Sequence, residues 1–202
     1  PKTAGAFSWD TDFNFASNNE KIVELSQGKV DDVGNLRFIG QPLNVFYDFE
    51  RIGIWQLGED AAAAANNSRV GQIRVRDRDG DGAITPDDRK ILGSDVPAFT
   101  AGMTNRFTFK GFDLTIVAYA RIGQEIRDRS WGQSRFGSGR WNMLNLDFWS
   151  PTNPVNDIPE PNTSLVIPLY GTTLGIFDGS FVKIRNINLG YNFPSGVINK
   201  LG

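Results

Sequence analysis

Between Phe7 and Phe15, aromatic and polar side chains alternate. Phe7, Trp9, Phe13 and Phe15 occupy odd positions, with Ser8, Asp10, Asp12 and Asn14 between them. A period of two predicts a strand with one apolar and one polar face. A soluble sandwich strand would carry Val, Ile and Leu inward more often than four aromatics, so the composition favours a strand that faces lipid. A second alternating stretch runs from Phe99 to Phe109, turns at Lys110-Gly111, and continues from Phe112 to Arg121 with Phe112, Leu114, Ile116, Ala118 and Ala120 on one side. A two-residue turn ending in glycine between alternating runs predicts a β-hairpin. The last such stretch is Phe181 to Phe193, with Ile187, Leu189, Tyr191 and Phe193 facing one way and Asn186, Asn188 and Asn192 the other.

Between these long strands the pattern is shorter-ranged. Residues 41–56 read as strand, bend and strand around Arg51-Ile52-Gly53, and residues 72–76 as a short strand. Ala61 to Ala65 reads as a helical turn or loose loop, and residues 19–25 as a short strand or one helical turn. Residues 123–174 are rich in Gly, Asn, Pro, Trp and Arg and predict an extended loop with short elements. Long loops at one rim and tight turns at the other are the habit of outer-membrane barrels. The predicted fold class is therefore all-β: an antiparallel meander forming part of a large transmembrane β-barrel, with long loops on one rim. No fixed-period repeat or low-complexity linker interrupts the chain, which is read as one unit over 1–202. It opens on Pro1 and stops at Gly202, each close to strand-like sequence, and is expected to be a fragment.

Composition narrows the chemistry. The chain has 202 residues, 40% hydrophobic and 12% aromatic, enough apolar surface for one β domain. It contains no His and no Cys, which removes imidazole bases, Ser-His-Asp triads, thiolate nucleophiles and Cys/His zinc sites. A net charge of -2 offers no basic field, so nucleic acid is not an expected partner. No apolar run approaches the ~18 to 20 residues of a membrane-spanning helix.

One motif stands out. Residues 77–88, Asp-Arg-Asp-Gly-Asp-Gly-Ala-Ile-Thr-Pro-Asp-Asp, match the calcium-loop template. The metal ligands it predicts are the carboxylates of Asp77, Asp79, Asp81 and Asp88 and the backbone carbonyl of Ala83. Gly82 permits the sharp turn and Ile84 anchors the loop to apolar surface. Asp88 is shorter than the usual Glu, which weakens bidentate closure. A strand precedes the loop, while Thr85-Pro86-Asp87-Asp88 is expected to cap a short helix through Leu92. Any bound Ca2+ would be structural, and a metal-free acidic turn is the alternative.

Trp131, Trp141 and Trp149 could stack on sugars as a weak ligand-binding set, or pack the long loop and fringe a bilayer. No acid pair, such as Asp147 with Glu160 or Asp128 with Asp157, has spacing that supports general acid-base catalysis, so no catalytic residue is expected.

Several motifs recur together in one family. They are Trp9-Asp10-Thr11-Asp12-Phe13-Asn14-Phe15, with Asn19-Glu20-Lys21-Ile22-Val23; Gly40-Gln41-Pro42 before Phe46-Tyr47; Gly53-Ile54-Trp55-Gln56; and Asp79-Gly80-Asp81-Gly82 with Asp88-Arg89 and Ile91-Leu92-Gly93. Lys110-Gly111-Phe112-Asp113-Leu114, Trp149-Ser150-Pro151-Thr152-Asn153-Pro154 and the segment Gly179 to Tyr191 complete the series. In this order, over nearly the whole chain, they resemble the later barrel strands of the SusC/RagA family of TonB-dependent outer-membrane transporters. The resemblance implies a barrel in the outer membrane of a Gram-negative bacterium, lidded by a SusD-like surface lipoprotein and driven by the TonB complex to import oligosaccharide or peptide. It also implies an N-terminal plug and a final barrel segment, neither of which lies in this chain. An Ala-rich insertion after Gln56 and the Arg-rich residues 128–140 depart from the family pattern and put substrate identity in doubt. A soluble extracellular, calcium-stabilised carbohydrate-binding β domain is the competing reading, and a glycan-active enzyme a weaker third.

Overall fold

Lys110 and Gly111 both adopt positive φ, 46° and 90°. That backbone geometry lets a two-residue turn match the twist of the strands it joins. In a computed structural model of the chain, this turn sits between β7 (Phe99–Phe109) and β8 (Phe112–Ile122), which pair in unbroken antiparallel register from Phe109↔Phe112 to Phe99↔Ile122. The structure describes residues 2–4, 6–129, 146–161, 168–193 and 196. Preceding strands are β1 (Lys2–Ala4), β2 (Phe7–Ala16), β3 (Val45–Phe49), β4 (Arg51–Ile54), β5 (Ile73–Val75) and β6 (Arg89–Ser94), and following ones are β9 (Glu125–Arg127), β10 (Ile176–Asp178) and β11 (Phe181–Tyr191). The helix α1 (Asp60–Ala65) is a short one, and among the described residues no helix is long and apolar enough to cross a membrane.

The chain divides into two compact units. The first comprises Pro1–Asn19, Val96–Gln124 and Gly179–Gly202 and holds a five-stranded antiparallel sheet in the order β1-β2-β7-β8-β11. Both long excursions of the chain, from β2 to β7 and from β8 to β11, leave and return at one end of this sheet; the Lys110-Gly111 turn closes the other. The all-β meander expected from the sequence is the architecture found, as an open sheet with β1 and β11 at its edges.

The second unit, Glu20–Asp95 and Glu125–Asp178, is built from the two-stranded sheets β3-β6, β4-β5 and β9-β10. Its core is Phe49, Ile54, Ile73, Val75, Trp149 and Leu174, with Ile84 and Tyr170 packed against it. Two sequence motifs 93 residues apart meet there. The Trp149 indole N–H donates to Gln56 Oε1 at 2.9 Å, and Gln56 Nε2 in turn donates to the Ile54 and Val155 carbonyls. Asn156 Oδ1 accepts from the Ile54 backbone N–H at 2.8 Å. Gly71, at φ 85°, leaves the room the indole needs: a Cβ there would lie 2.6 Å from Trp149 Cε3.

One expected element differs. The helix predicted through Leu92 is a single 3-10 turn, Pro86–Asp88, followed directly by β6. The capping box forms as expected, Thr85 accepting from the Asp87 N–H and Asp88 from the Thr85 N–H. Residues 89–94 then pair with β3, from Arg89↔Phe49 to Ser94↔Val45, and this cross-strand ladder overrides the local helix signal.

Candidate functional site: a two-faced sheet and an acidic loop

The register of the five-stranded sheet sorts its side chains onto two faces. On one lie Phe7, Trp9, Thr11, Phe13 and Phe15 of β2; Phe99, Ala101, Met103, Asn105, Phe107 and Phe109 of β7; and the full set Phe112, Leu114, Ile116, Ala118, Ala120 and Ile122 of β8. β11 adds Val182, Ile184, Ile187, Leu189 and Tyr191. The change from even to odd positions along β11 is made by a bulge at Arg185: Ile184 pairs with Ala118 and Asn186 with Val117. Much of this face is uncovered, with Phe13 66% and Ile187 62% exposed. Isolated apolar side chains on a surface are ordinary; a continuous apolar sheet face is not.

Aromatic side chains gather at both ends of that face. Near the tight turn, Trp9 stacks on Phe107 with centroids 5.9 Å apart, and Phe112 meets Tyr191 at 4.5 Å. At the other end Phe15 stacks on Phe99 at 5.3 Å. Aromatic bands bounding an aliphatic middle are the pattern of strands that cross a bilayer. The 11-residue lengths of β7, β8 and β11 also suit a tilted crossing.

Among the described residues of β2, β7, β8 and β11, Thr11 and Asn105 alone interrupt the apolar face, and they serve each other. Asn105 Oδ1 accepts from the Thr11 hydroxyl at 2.7 Å and from the Trp9 indole N–H at 3.0 Å. An indole N–H can only donate, which fixes which end of the Asn105 amide faces it. Asp10, Asp12, Asn14, Thr104, Arg106 and Asp113 lie on the opposite, polar face, where Asp12 pairs with Arg106.

The acidic loop lies in the second unit. Carboxylate oxygens of Asp77, Asp79 and Asp81 all lie within 4.8 Å of one another. Asp77 accepts from the Gly80 and Gly82 N–H groups, Asp79 from Asp81 N–H, and Asp81 from Ala83 N–H. Gly80 and Gly82 supply φ values of 77° and 85°. The Asp81 N–H lowers the pKa of Asp79, but lost hydration and the neighbouring charges of Asp81, Asp88 and Asp77 outweigh it, and the group is raised above its ordinary value. Asp88 stands apart from the three. Fully buried, it accepts from Arg78 N–H at 2.6 Å and Thr85 N–H at 2.8 Å, closing the base of the loop. The Thr85 and Arg78 N–H groups hold its carboxyl below the ordinary range against the opposing effect of burial. Three converging carboxylates offer the hard oxygen donors a calcium-like ion takes.

Of the three tryptophans considered as a ligand-binding set, Trp131 and Trp141 lie outside the described residues. Trp149 is a core side chain, 2% exposed, its N–H engaged by Gln56, and it presents no open face for stacking a sugar. Two of the acids weighed as catalytic pairs have other partners: Glu160 pairs with Arg69, and Asp147 accepts from Asn153 at 2.6 Å.

No protein-family model matches the chain. Over 97% of its length it is 32% identical to TonB-dependent receptor P3 of Formosa agariphila and 29% identical to TonB-dependent receptor P26 of the same organism, covering 21% of each. It is 22% identical over 94% of its length to TonB-dependent receptor SusC of Bacteroides thetaiotaomicron, covering 19% of that protein. Its fold matches the RagAB peptide importer in the open-open state with a TM-score of 0.66 at 19% identity, over 97% of this chain and 21% of that one. The closed-closed state gives 0.64 at 20% identity, over 98% of this chain and 22% of that one. Over nearly its whole length the chain is similar to SusC/RagA-like TonB-dependent receptors. It spans about a fifth of the length of these relatives. They are named as receptors and an importer, not as enzymes.

In SusC/RagA-like terms the described strands form a piece of sheet with one apolar and one polar side. Sequence reasoning missed the Thr11-Asn105-Trp9 cluster, because Asn105 lies 94 residues from Thr11 and only the strand register brings them together. It also missed the bulge, whose signal was present: Val182 and Ile184 are even, Ile187 and Leu189 odd.

Proposed function

We propose that this chain forms part of the barrel wall of an outer-membrane, TonB-dependent nutrient importer of a Gram-negative bacterium. The observation that carries the reading is the continuous apolar face of the five-stranded sheet, bounded by aromatics at both ends and backed by a charged and hydroxylated face. Apolar side chains there meet lipid, and the polar face lines a wet lumen. A soluble domain would leave the whole apolar face in water. The imported solute is an oligosaccharide or peptide, taken up as part of a SusCD-like complex in which a SusD-like surface lipoprotein is the partner and the TonB complex supplies energy. The loop 77–88 binds Ca2+ through Asp77, Asp79 and Asp81, with Asp88 bracing its base, and stiffens its segment without taking part in transport chemistry.

Fractionation of the native cells tests this reading. Recovery of the polypeptide containing this sequence from the outer membrane, released by detergent and at a mass several times that of the 22.4 kDa chain, is the expected result. A detergent-independent soluble species near that mass would overturn it in favour of a secreted binding domain.

A further inference from the structure

We propose that Lys183 and Arg185, held on aromatic rings on the polar face of the sheet, form a subsite for a carboxylate or sulfate group of the solute passing this wall. The inference rests on the reading of that face as a lumen. By register, Phe181 lies opposite Arg121 and Lys183 opposite Tyr119, all on the polar side of the β8-β11 pair. Lys183 Nζ lies 5.3 Å from the centroid of the Phe181 ring, and the Arg185 guanidinium 4.3 Å from that of Tyr119. The two rings are themselves 5.9 Å apart. A cation over a ring gains attraction without a counter-ion. Its edge remains available: a stacked guanidinium still presents in-plane N–H donors that match a carboxylate or sulfate in bidentate fashion.

Among the described residues, neither Lys183 nor Arg185 makes a hydrogen bond or an ion pair. Of the acids on the same face, Asp10 and Asp113 lie toward the tight-turn end, and Asp12, in the middle row two strands from Val117, is already paired with Arg106. The positions in line with Tyr119 across the sheet, Gly102 and Asn14, carry no charge. Among the described residues of the sheet, the row through Tyr119 and Lys183 therefore carries positive charge and no acid. It also coincides with the bulge, an irregularity that re-aims a side chain and here brings Arg185 over Tyr119.

The test uses the full-length receptor in detergent, with isothermal titration of tetragalacturonate, its neutral carboxyl-reduced counterpart, tetraglutamate and inorganic sulfate. Wild type is expected to bind at least one anionic probe more tightly than the neutral one, with the preference lost at about 1 M salt. The double variant K183Q/R185Q should weaken anion binding about tenfold while leaving any neutral binding unchanged, as loss of charge-assisted contacts requires. Arg185→Lys should recover part of the loss. Tetragalacturonate against tetraglutamate tells whether the group belongs to a sugar or a peptide. Failure of every anionic probe to bind wild type, or equal anion binding by wild type and the double variant, overturns the subsite. Heat-dependent mobility of the same preparations on gels reports barrel insertion separately, so a receptor that inserts but shows no charge effect sinks this inference alone.

Discussion

Asn105 offers a way to ask whether the apolar face meets lipid or water. Its Oδ1 accepts two hydrogen bonds, from Thr11 and from Trp9. In water, a hydroxyl and an indole N–H that lose this acceptor find solvent instead, and surface changes of this kind stay within about 0.5 kcal/mol. In hydrocarbon no replacement exists, and an orphaned donor costs about 1 to 3 kcal/mol. Asn105→Leu combined with Thr11→Val isolates the pair, since each change removes one partner and together they leave an apolar contact. Interhelical side-chain hydrogen bonds in membranes average roughly 0.6 kcal/mol, with values up to about 1.7. The expected coupling here is therefore about 1 kcal/mol: the double variant is less destabilised than the sum of the single changes. The measurement is urea unfolding of the receptor in lipid vesicles, followed by the gel shift between folded and unfolded barrel. Additive effects within about 0.5 kcal/mol would refute the lipid assignment of this face.

In the second unit, Gly71→Ala should destabilise far more than Gly58→Ala: both glycines have similar φ, 85° and 88°, but only at Gly71 would a Cβ strike Trp149. The backbone term of about 1 to 2 kcal/mol is common to both, and overpacking adds about 1 to 3 kcal/mol at Gly71 alone, read as the difference in denaturation midpoints at constant m. Adding Ca2+ at ten times its Kd should raise the stability of the loop-bearing unit by about 1.4 kcal/mol in wild type and not in a D79N/D81N variant; identical melting with and without the ion would reject binding. Glu50 bridges Lys90 and Arg76, each at 2.9 Å, and these two contacts, Lys90 first, hold its pKa below the ordinary 4.5. Because the folded value is depressed, this brace is fully present above pH 4.5 and is lost as pH falls through the folded value. Glu50→Gln should cost up to about 1 kcal/mol at pH 7, and the gap to wild type should narrow on acidification below the ordinary value.

The long strands were legible because apolar and polar side chains alternate along them. Aromatic alternation in residues 7–15, the Lys110-Gly111 turn and the run 112–121 each carry their own evidence within a few residues, and β2, β7 and β8 follow from them. The second unit was harder to read because its short strands take their partners from distant segments. Residues 89–94 look locally like the continuation of a capped helix, and only pairing with Val45–Phe49 makes them a strand. Trp149 reads as a stacking platform or, with more weight, a packing residue until Gly71, Gln56 and Ile54 are assembled around it. The acidic loop lay between these cases. The carboxylates of Asp77, Asp79 and Asp81 converge, while Asp88 turns one oxygen to the Thr85 N–H, as a capping box does, and the other to the Arg78 N–H, which no spacing rule reveals.

The bulge at Arg185 shows which requirement dominates in this sheet. With regular pairing through β11, either Val182 and Ile184 or Ile187 and Leu189 would point to the polar face, because a slip of one residue reverses every side chain beyond it. Moving two large aliphatic side chains from an apolar surround into water costs about 3 to 6 kcal/mol. Interrupting the ladder at one residue forfeits a hydrogen bond whose net value is about 0.5 to 1.5 kcal/mol. The comparison favours the bulge by several-fold, and the register obeys it, with Ile184 against Ala118 and Ile187 against Ile116 on the same side. A face held apolar at the expense of strand regularity is one whose surroundings penalise polarity. Since the residue inserted to hold it is an arginine resting on Tyr119, the same irregularity that preserves the apolar side also equips the polar one.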